Sequence, residues 1–367
     1  MKRIVIIGGG SAGVMFVNRM RRDFTEDEVE LSVIERSDKH YFQPAFTSIA
    51  FGLDEGEDVV RPTKDLFYEG VNLITDSATR INPKNNTVTT SKHGAVSYDY
   101  LIVATGAKLN FDEPAGMKEG LNKGEGVFTF YTMDGALKLR DAIKNCDGGT
   151  IVSMSSENPI KCPAAPINFI LMAEDTMRMF GRRNKFKFVL STPMQSVIPN
   201  QPYLEKFNSI LDSKEIGVVN NFSPGEVDYK NGVVRSYNGK KINFDLLCII
   251  PPHEGEQVIH DSEELGDAAG WVTCDKYHLL SNYYSNIYAI GDASDVPASK
   301  TMTSARIQAK VLTDRMKAVL EGKEPTATYK PEVLCPISPK NKKSVFAHYN
   351  YDELKPLYWN LILKGLI

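Results

Sequence analysis

The stretch KRIVIIGGGSAGVMFVNRMRR (residues 2–22) constrains this chain more than any other. An unbroken apolar run, a cluster of glycines and an amphipathic stretch with basic residues at its end predict a buried strand, a tight turn and a helix. Gly8, Gly10 and Gly13 satisfy G-x-G-x-x-G, and VELSVIER (29–36) follows as a second strand. Glu35 lies about 20 residues past the last glycine, where an acid accepts hydrogen bonds from a ribose diol. The glycines permit a sharp turn and let the backbone approach a pyrophosphate resting on the helix N-terminus. Ser11 and Ala12, at the helix start, and Arg36, beside the acid, complete the expected contacts. A dinucleotide with a free ribose diol follows.

Two later segments narrow the ligand. YDYLIVATGAKLNF (98–111) is a strand ending in Ala104-Thr105-Gly106, and NIYAIGDASD (286–295) is a strand ending in Gly291-Asp292. A helix is expected from about Thr303, just past Lys300 and Thr301. An acid at that strand end can bind a polyol chain, and a helix N-terminus can stabilise negative charge on a reduced ring. Each alone reads equally well as a Gly/Asp turn. Together, and in this order, they favour FAD over NAD.

At 367 residues the chain exceeds what one core usually holds. The net charge of −3 gives no reason to expect nucleic acid. Since the first strand starts at residue 2, no secretory leader is expected, and no apolar run is long enough for a spanning helix. None of the five cysteines (Cys146, Cys162, Cys248, Cys274 and Cys335) falls in a C-x-x-C pair, so no metal site is expected.

Between the second and third dinucleotide segments lies a further βαβ-type unit, with a strand at about 150–154 and a helix at about 164–180. The expected fold class is α/β: two Rossmann-like dinucleotide-binding domains, the second inserted in the first, plus a C-terminal membrane-association segment. The boundaries are 1–110 and 251–322 for the FAD-binding domain, 111–250 for the insert and 323–367 for the C-terminal segment. Where the insert should carry its own glycine loop, it reads ENPIKCPAAPINF (157–169). Laid on the first motif, the glycine positions hold Ser155, Glu157 and Ile160, which argues against nicotinamide binding.

This layout resembles the two-dinucleotide-domain flavoproteins of the pyridine nucleotide–disulfide oxidoreductase superfamily. The region after Glu35 has no C-x4-C pair and no single cysteine, unlike disulfide reductases and coenzyme A disulfide reductases. The chain is most similar to the sulfide:quinone oxidoreductase family, with the flavin subunit of flavocytochrome c sulfide dehydrogenase close by. The resemblance is carried by HYFQPAFTSIAFG (40–52), ATGAKLNF (104–111), KCPAAP (161–166), IIPPHEG (249–255), GWVTCD (270–275) and GDASDVPASKT (291–301).

The resemblance implies oxidation of sulfide to polysulfide or sulfur, with two electrons passing through FAD to a membrane quinone. It implies a redox pair of Cys162 and Cys335, each followed by proline, with Lys161 and the following helix start favouring the Cys162 thiolate. Lys300 matches a family lysine near the flavin and quinone end, able to stabilise a reduced flavin or a quinol oxygen. Cys248, within FDLLCII, reads as a core residue, and Cys146 and Cys274 as passive residues of turns or strand edges. His40 and His253 are further ionisable candidates, His253 equally well a turn residue. Phe128, Phe130 and Tyr131 stand where many relatives have a third cysteine, so a two-cysteine site without covalent flavin is expected. Ile167 and Asn168 replace an acid that some relatives carry, so no carboxylate base is assigned there.

YDELKPLYWNLILKGLI (351–367) puts Leu354, Leu357, Tyr358, Leu361 and Ile362 on one helical stripe. That suits a helix lying in a membrane interface, on the cytoplasmic side, in a peripheral or monotopic protein. Packing of this tail on its own core or on another subunit of a homo-oligomer is the other reading. Phe346 and Tyr349 are candidates for the quinone pocket. Three other functions fit the sequence less well. A haem-partnered flavocytochrome subunit fits poorly without an export signal, a type II NADH:quinone reductase needs the missing glycine loop, and a redox-silent flavin scaffold leaves the cysteine pair unexplained.

Overall fold

The computed structural model describes residues 1–197, 201–262, 264–331, 333–340, 343–349 and 361–362. Its contacts divide the chain into two compact units. The first comprises 1–41, 60–108 and 254–333; the second comprises 42–59, 109–253 and the described residues from 334 on.

The first unit is built on a parallel sheet ordered Ile287–Ala289, Tyr100–Val103, Lys2–Ile7, Val29–Glu35, Val71–Thr75. Its central strands carry continuous apolar runs, such as Ile4–Ile7, because both faces are covered there, as in doubly wound folds. Ile4, Val5 and Ile6 are all essentially inaccessible, and burial of each contributes about 2 kcal/mol. Helix Ser11–Asp23 packs on helix Met302–Leu320. A three-stranded antiparallel sheet, Ala78–Asn82, Thr87–Thr90 and Gly94–Ser97, joins the third and fourth parallel strands in the chain.

The second unit repeats this plan. Its parallel sheet runs Val127–Phe128, Leu246–Ile250, Gly149–Ser155, Phe186–Ser191, Ile216–Val219. An antiparallel sheet, Pro224–Asp228, Val233–Ser236 and Lys241–Asn243, again precedes the returning strand. Met154, Phe222, Val234, Leu247 and Ile249 form its buried core. The stretch 42–59, placed by the sequence reading with the first domain, clusters with this unit. The physical reason is packing: helix Phe46–Ala50 lies on helix Met133–Asn145, and the Phe51 ring meets Phe169 at 5.5 Å.

The helix expected at about 164–180 is Ala165–Met179. Pro166 suits its first turn, where an amide would lack a partner anyway. Its end is set by Gly181, at φ 68°, whose N–H donates to the Arg178 carbonyl while the Arg182 N–H donates to Met177. On its buried side Glu174 accepts from Lys214, Arg178 and Arg183, so a fully enclosed carboxylate is met by three cations.

The C-terminal expectation needs correcting at one point. Leu361–Ile362 form a short strand paired antiparallel with Lys343–Ser344, not a turn of helix. Pairing with an open strand edge satisfies the backbone groups that face that edge, an alternative that the apolar stripe alone does not distinguish from a helix. The strands Val333–Lys340, Lys343–Tyr349 and Leu361–Ile362 make one sheet in that order. Of the expected helical stripe, Leu354, Leu357 and Tyr358 lie outside the described residues. Among the described residues no helix is long and apolar enough to cross a membrane.

Candidate active site

In the first unit the glycine loop does three separate jobs. Gly8 takes φ 108°, and a Cβ there would meet the Ala104 carbonyl oxygen at 2.3 Å. A Cβ on Gly13 would lie 2.0 Å from the Gly8 carbonyl oxygen, so only glycine lets the helix sit this close to the strand. Gly10 is different, since a Cβ there meets nothing within 4 Å. Its Cα faces open space at the start of helix Ser11–Asp23, whose first turn has no side-chain cap. The uncapped first-turn amides, at Ser11 and Ala12, leave a positive helix end open to an anion.

Glu35 accepts from the Gly9 N–H at 2.6 Å and the Ser37 N–H at 2.8 Å, which orients its carboxylate at the end of the second strand. His40 joins this loop through Nδ1, 3.1 Å from the Gly9 carbonyl oxygen. Arg36 is committed elsewhere: its two terminal nitrogens donate to Glu256 at 2.9 and 3.2 Å. The Ala104 N–H donates to the Ile7 carbonyl, and Gly106 takes φ 76° with open space beyond its Cα. Between them, the Thr105 hydroxyl oxygen is buried with no hydrogen-bond partner among the described residues. A buried hydroxyl without a partner costs on the order of 1–3 kcal/mol, a cost that a ligand can relieve.

At the sheet's other edge Gly291, at φ 68°, opens a turn in which Asp292 follows. The turn is tied to helix Met302–Leu320 by the Gly291 N–H, which donates to the Gln308 side chain at 2.6 Å. Thr301 caps that helix by accepting from the Ser304 N–H at 3.2 Å. Lys300 is not a solvated surface lysine; it is 8% exposed. Its ammonium donates to the carbonyls of Asp292 and Ser294 at 2.8 and 2.9 Å, and lies 3.7 Å from the centre of the Trp271 ring. Burial pulls its pKa down to about 8, opposed by Asp292, Asp295 and Asp267. Gln308 and Trp271 escaped the sequence reading. Trp271 lies inside GWVTCD (270–275), where an aromatic residue is the sequence signal; Gln308 carries none.

In the second unit the equivalent of the glycine loop is longer. The first unit passes from strand to helix through residues 8–10, whereas here the loop runs over residues 156–164. The overlay that set Glu157 and Ile160 on glycine positions therefore holds only at the strand end, because the helix starts later. Glu157 is exposed and Ile160 buried. Cys162 occupies this loop, half-buried, with φ 51°. That left-handed conformation costs a side-chain-bearing residue roughly 1–2 kcal/mol, and nothing in the sequence marked it. Its carbonyl accepts from the Ala165 N–H at 2.8 Å, so it stands immediately before a helix N-terminus.

Aromatic rings support this loop. The Tyr131 hydroxyl donates to the Lys161 carbonyl at 2.5 Å, and the Lys161 ammonium donates to Gln43 at 2.8 Å. Phe130 stacks on Phe169 at 5.7 Å, and His253 meets Tyr131 edge-on at 5.3 Å. His253 is buried, with Nδ1 2.9 Å from the Pro251 carbonyl oxygen. Cys335 falls in strand Val333–Lys340, and Phe346 and Tyr349 in strand Lys343–Tyr349; the side chains of all three lie outside the described residues.

Three other cysteines are poor nucleophiles. Burial pushes the Cys248 thiol well up inside strand Leu246–Ile250, and also raises Cys146 and Cys274. Cys274 additionally faces the Asp295 carboxylate, 3.6 Å from its sulfur. Among the described residues no cluster could hold a metal ion.

Comparison with known proteins agrees with this layout. Residues 2–148 match the family model of the pyridine nucleotide-disulphide oxidoreductases. The chain is 30% identical to the mitochondrial sulfide:quinone oxidoreductase of Dictyostelium discoideum, aligning over 100% of its own length and 83% of that protein's. The chain belongs to the sulfide:quinone oxidoreductase family. Its identity with the mitochondrial enzyme of Mus musculus is 24%, covering 99% of the chain and 86% of the relative. The crystal structure of the sulfide:quinone oxidoreductase of Aquifex aeolicus shares the fold, with TM-score 0.80 and 19% identity over 95% of this chain and 83% of that one. FAD is the cofactor of this family. The open face at Gly10, the uncapped helix start, the Glu35 carboxylate and the orphaned Thr105 hydroxyl fit such a dinucleotide.

Proposed function

We propose that this protein oxidises sulfide to polysulfide or elemental sulfur and delivers two electrons to a membrane quinone. Support comes first from Cys162: a strained, half-buried cysteine stands where a second nucleotide loop would be, directly before a helix N-terminus. Gly8, Gly10, Ser11, Ala12, Gly13 and Glu35 hold the pyrophosphate and ribose side of FAD, with Thr105 and Asp292 further along the same sheet. Arg36 and Thr301 act indirectly, through Glu256 and through the helix cap. FAD, when bound, accepts an electron pair and returns it to quinone.

Hydrosulfide attacks one sulfur of the oxidised Cys162–Cys335 pair, leaving a persulfide there and releasing the other sulfur as thiolate. The helix start beyond Cys162 favours the thiolate on that residue, which makes Cys162 the better leaving sulfur and Cys335 the site of attack. Re-forming the sulfur bridge returns the pair to its oxidised state and surrenders two electrons; repeated rounds lengthen the sulfur chain. Lys300 keeps a positive charge beside the Asp292 turn, where it offsets negative charge gained on reduction. Phe346 and Tyr349 line the quinone pocket, and the C-terminal segment carries the protein on the cytoplasmic face of the membrane.

The test is anaerobic absorbance of the flavoprotein on adding sulfide, then a soluble quinone. Bleaching followed by recovery is expected. A flavin that stays oxidised in sulfide would overturn the reading. Flotation with anionic liposomes, with and without residues 351–367, tests the membrane association.

A further inference from the structure

The environment of Lys300 is more specific than a buried lysine requires. We propose that Trp271 is a positioning residue that holds Lys300 in its ammonium form against the Asp292–Ser294 turn. This rests on the proposed function only in giving Lys300 a flavin to serve.

Two of the three ammonium N–H bonds are accounted for by the Asp292 and Ser294 carbonyls. A neutral amine could make both of these bonds as well, so the carbonyls do not select the charged form. The indole face does. Trp271 is 5% exposed, and its ring centre is 3.7 Å from the nitrogen, inside the range where a desolvated cation is attracted to an aromatic face. A neutral amine would turn either a lone pair or a weakly polar N–H towards the same negative face. The ring therefore distinguishes the protonation states while the carbonyls only locate the nitrogen.

The charged neighbours cannot do this work alone. Asp292, Asp295 and Asp267 favour its charge, while the nearby Cys274 thiol stays neutral near pH 8 and adds little; burial outweighs them and the pKa falls to about 8. Asp295 is itself pushed towards its neutral form by burial, and its carboxylate accepts from the Cys274 N–H at 3.0 Å. The hydrogen bonds described for the Lys300 ammonium go to backbone carbonyls rather than to a carboxylate. The lysine is thus poised near neutral pH, where removing one stabilising contact changes its charge. The two carbonyls it grips flank the turn that carries Asp292, so its charge and the seating of that turn are linked.

The sequence has two tryptophans, Trp271 and Trp359, so Trp359→Phe leaves Trp271 as the sole indole reporter. Its fluorescence should change in one step centred near pH 8, and the step should vanish when Lys300→Met is added. In the holoenzyme, the alkaline limb of the sulfide-to-quinone pH profile should move down by roughly one pH unit in Trp271→Leu. Trp271→Phe, which keeps an aromatic face, should restore most of that shift. Flavin content and melting temperature identify any variant that fails to fold, and the fluorescence step is then read alone. A step that survives loss of Lys300, or an unmoved limb in a folded Trp271→Leu protein, would overturn the proposal. Failure of sulfide to bleach the wild-type flavin would overturn the assigned function instead, and leaves the fluorescence result to be judged separately.

Discussion

Cys162 shows how far a residue's chemistry can be read before its geometry is known. The sequence pointed to it through KCPAAP and the missing glycines, but the left-handed backbone at φ 51° is a tertiary imposition that no local propensity encodes. Cys162→Ser should keep flavin bound and lose sulfide-driven bleaching by on the order of a thousandfold or more, as removal of a nucleophile does. Cys274→Ser should stay within about threefold, because its thiol is buried beside a carboxylate and does not ionise near neutrality. Stopped-flow absorbance measures both. Lys300 adds a pH dependence whose sign follows from its lowered pKa. Below about pH 8 the lysine is charged folded and unfolded, so its burial cost is fully present. Between there and its ordinary value near 10.5 the unfolded chain binds the extra proton, so its contribution to stability improves with rising pH. Activity should move the opposite way and fall above about pH 8, since the ammonium is lost. Parallel denaturation and turnover profiles of wild type and Lys300→Met check the two signs.

At the scale of elements, the glycine loop was legible in full and the C-terminal tail was not. Strand, turn and helix are specified within residues 2–23, where apolar period, glycine spacing and the first-turn residues agree. The tail offered an apolar stripe that helix and strand could both use, and Leu361–Ile362 resolve as a strand because a partner edge decides it. Two glycines of the loop make a discriminating pair. Gly13→Ala puts a methyl group 2.0 Å from the Gly8 carbonyl oxygen and should cost about 2 kcal/mol or more of stability. Gly10→Ala meets no protein atom, so it should melt like wild type as apoprotein yet bind FAD far more weakly. Calorimetry of the apoproteins and FAD titration separate the two effects. The helix behind Cys162 depends on Glu174. Replacing it with Gln leaves Lys214 and Arg183 uncompensated, and a loss of about 3 kcal/mol in urea unfolding is expected.

The whole molecule uses one architecture twice: a five-stranded parallel sheet interrupted by a three-stranded antiparallel excursion, with the edge strand beside the returning strand coming last in the chain in the first unit and first in the second. That repetition was legible as two βαβ patterns, whereas the membership of 42–59 was not, since it depends on Phe51 finding Phe169 across more than a hundred residues. The value of the repeat is that it isolates what differs. The first copy turns from strand to helix in three residues, Gly8 to Gly10, and presents helix amides to an anion. The second takes nine, from 156 to 164, buries Ile160 and exposes the acidic Glu157. A pyrophosphate needs close backbone approach and an electropositive helix end at the strand terminus, and the longer loop supplies neither there. NADH should therefore leave the flavin oxidised at millimolar concentration while sulfide reduces it within seconds. The stronger form of this expectation concerns Cys162→Ser, which removes the sulfur chemistry without restoring a glycine turn. That variant should be unreactive towards both donors. NADH bleaching it, or bleaching wild type, would show that the second copy still binds nicotinamide despite its loop, and the division of labour between the two copies would have to be abandoned.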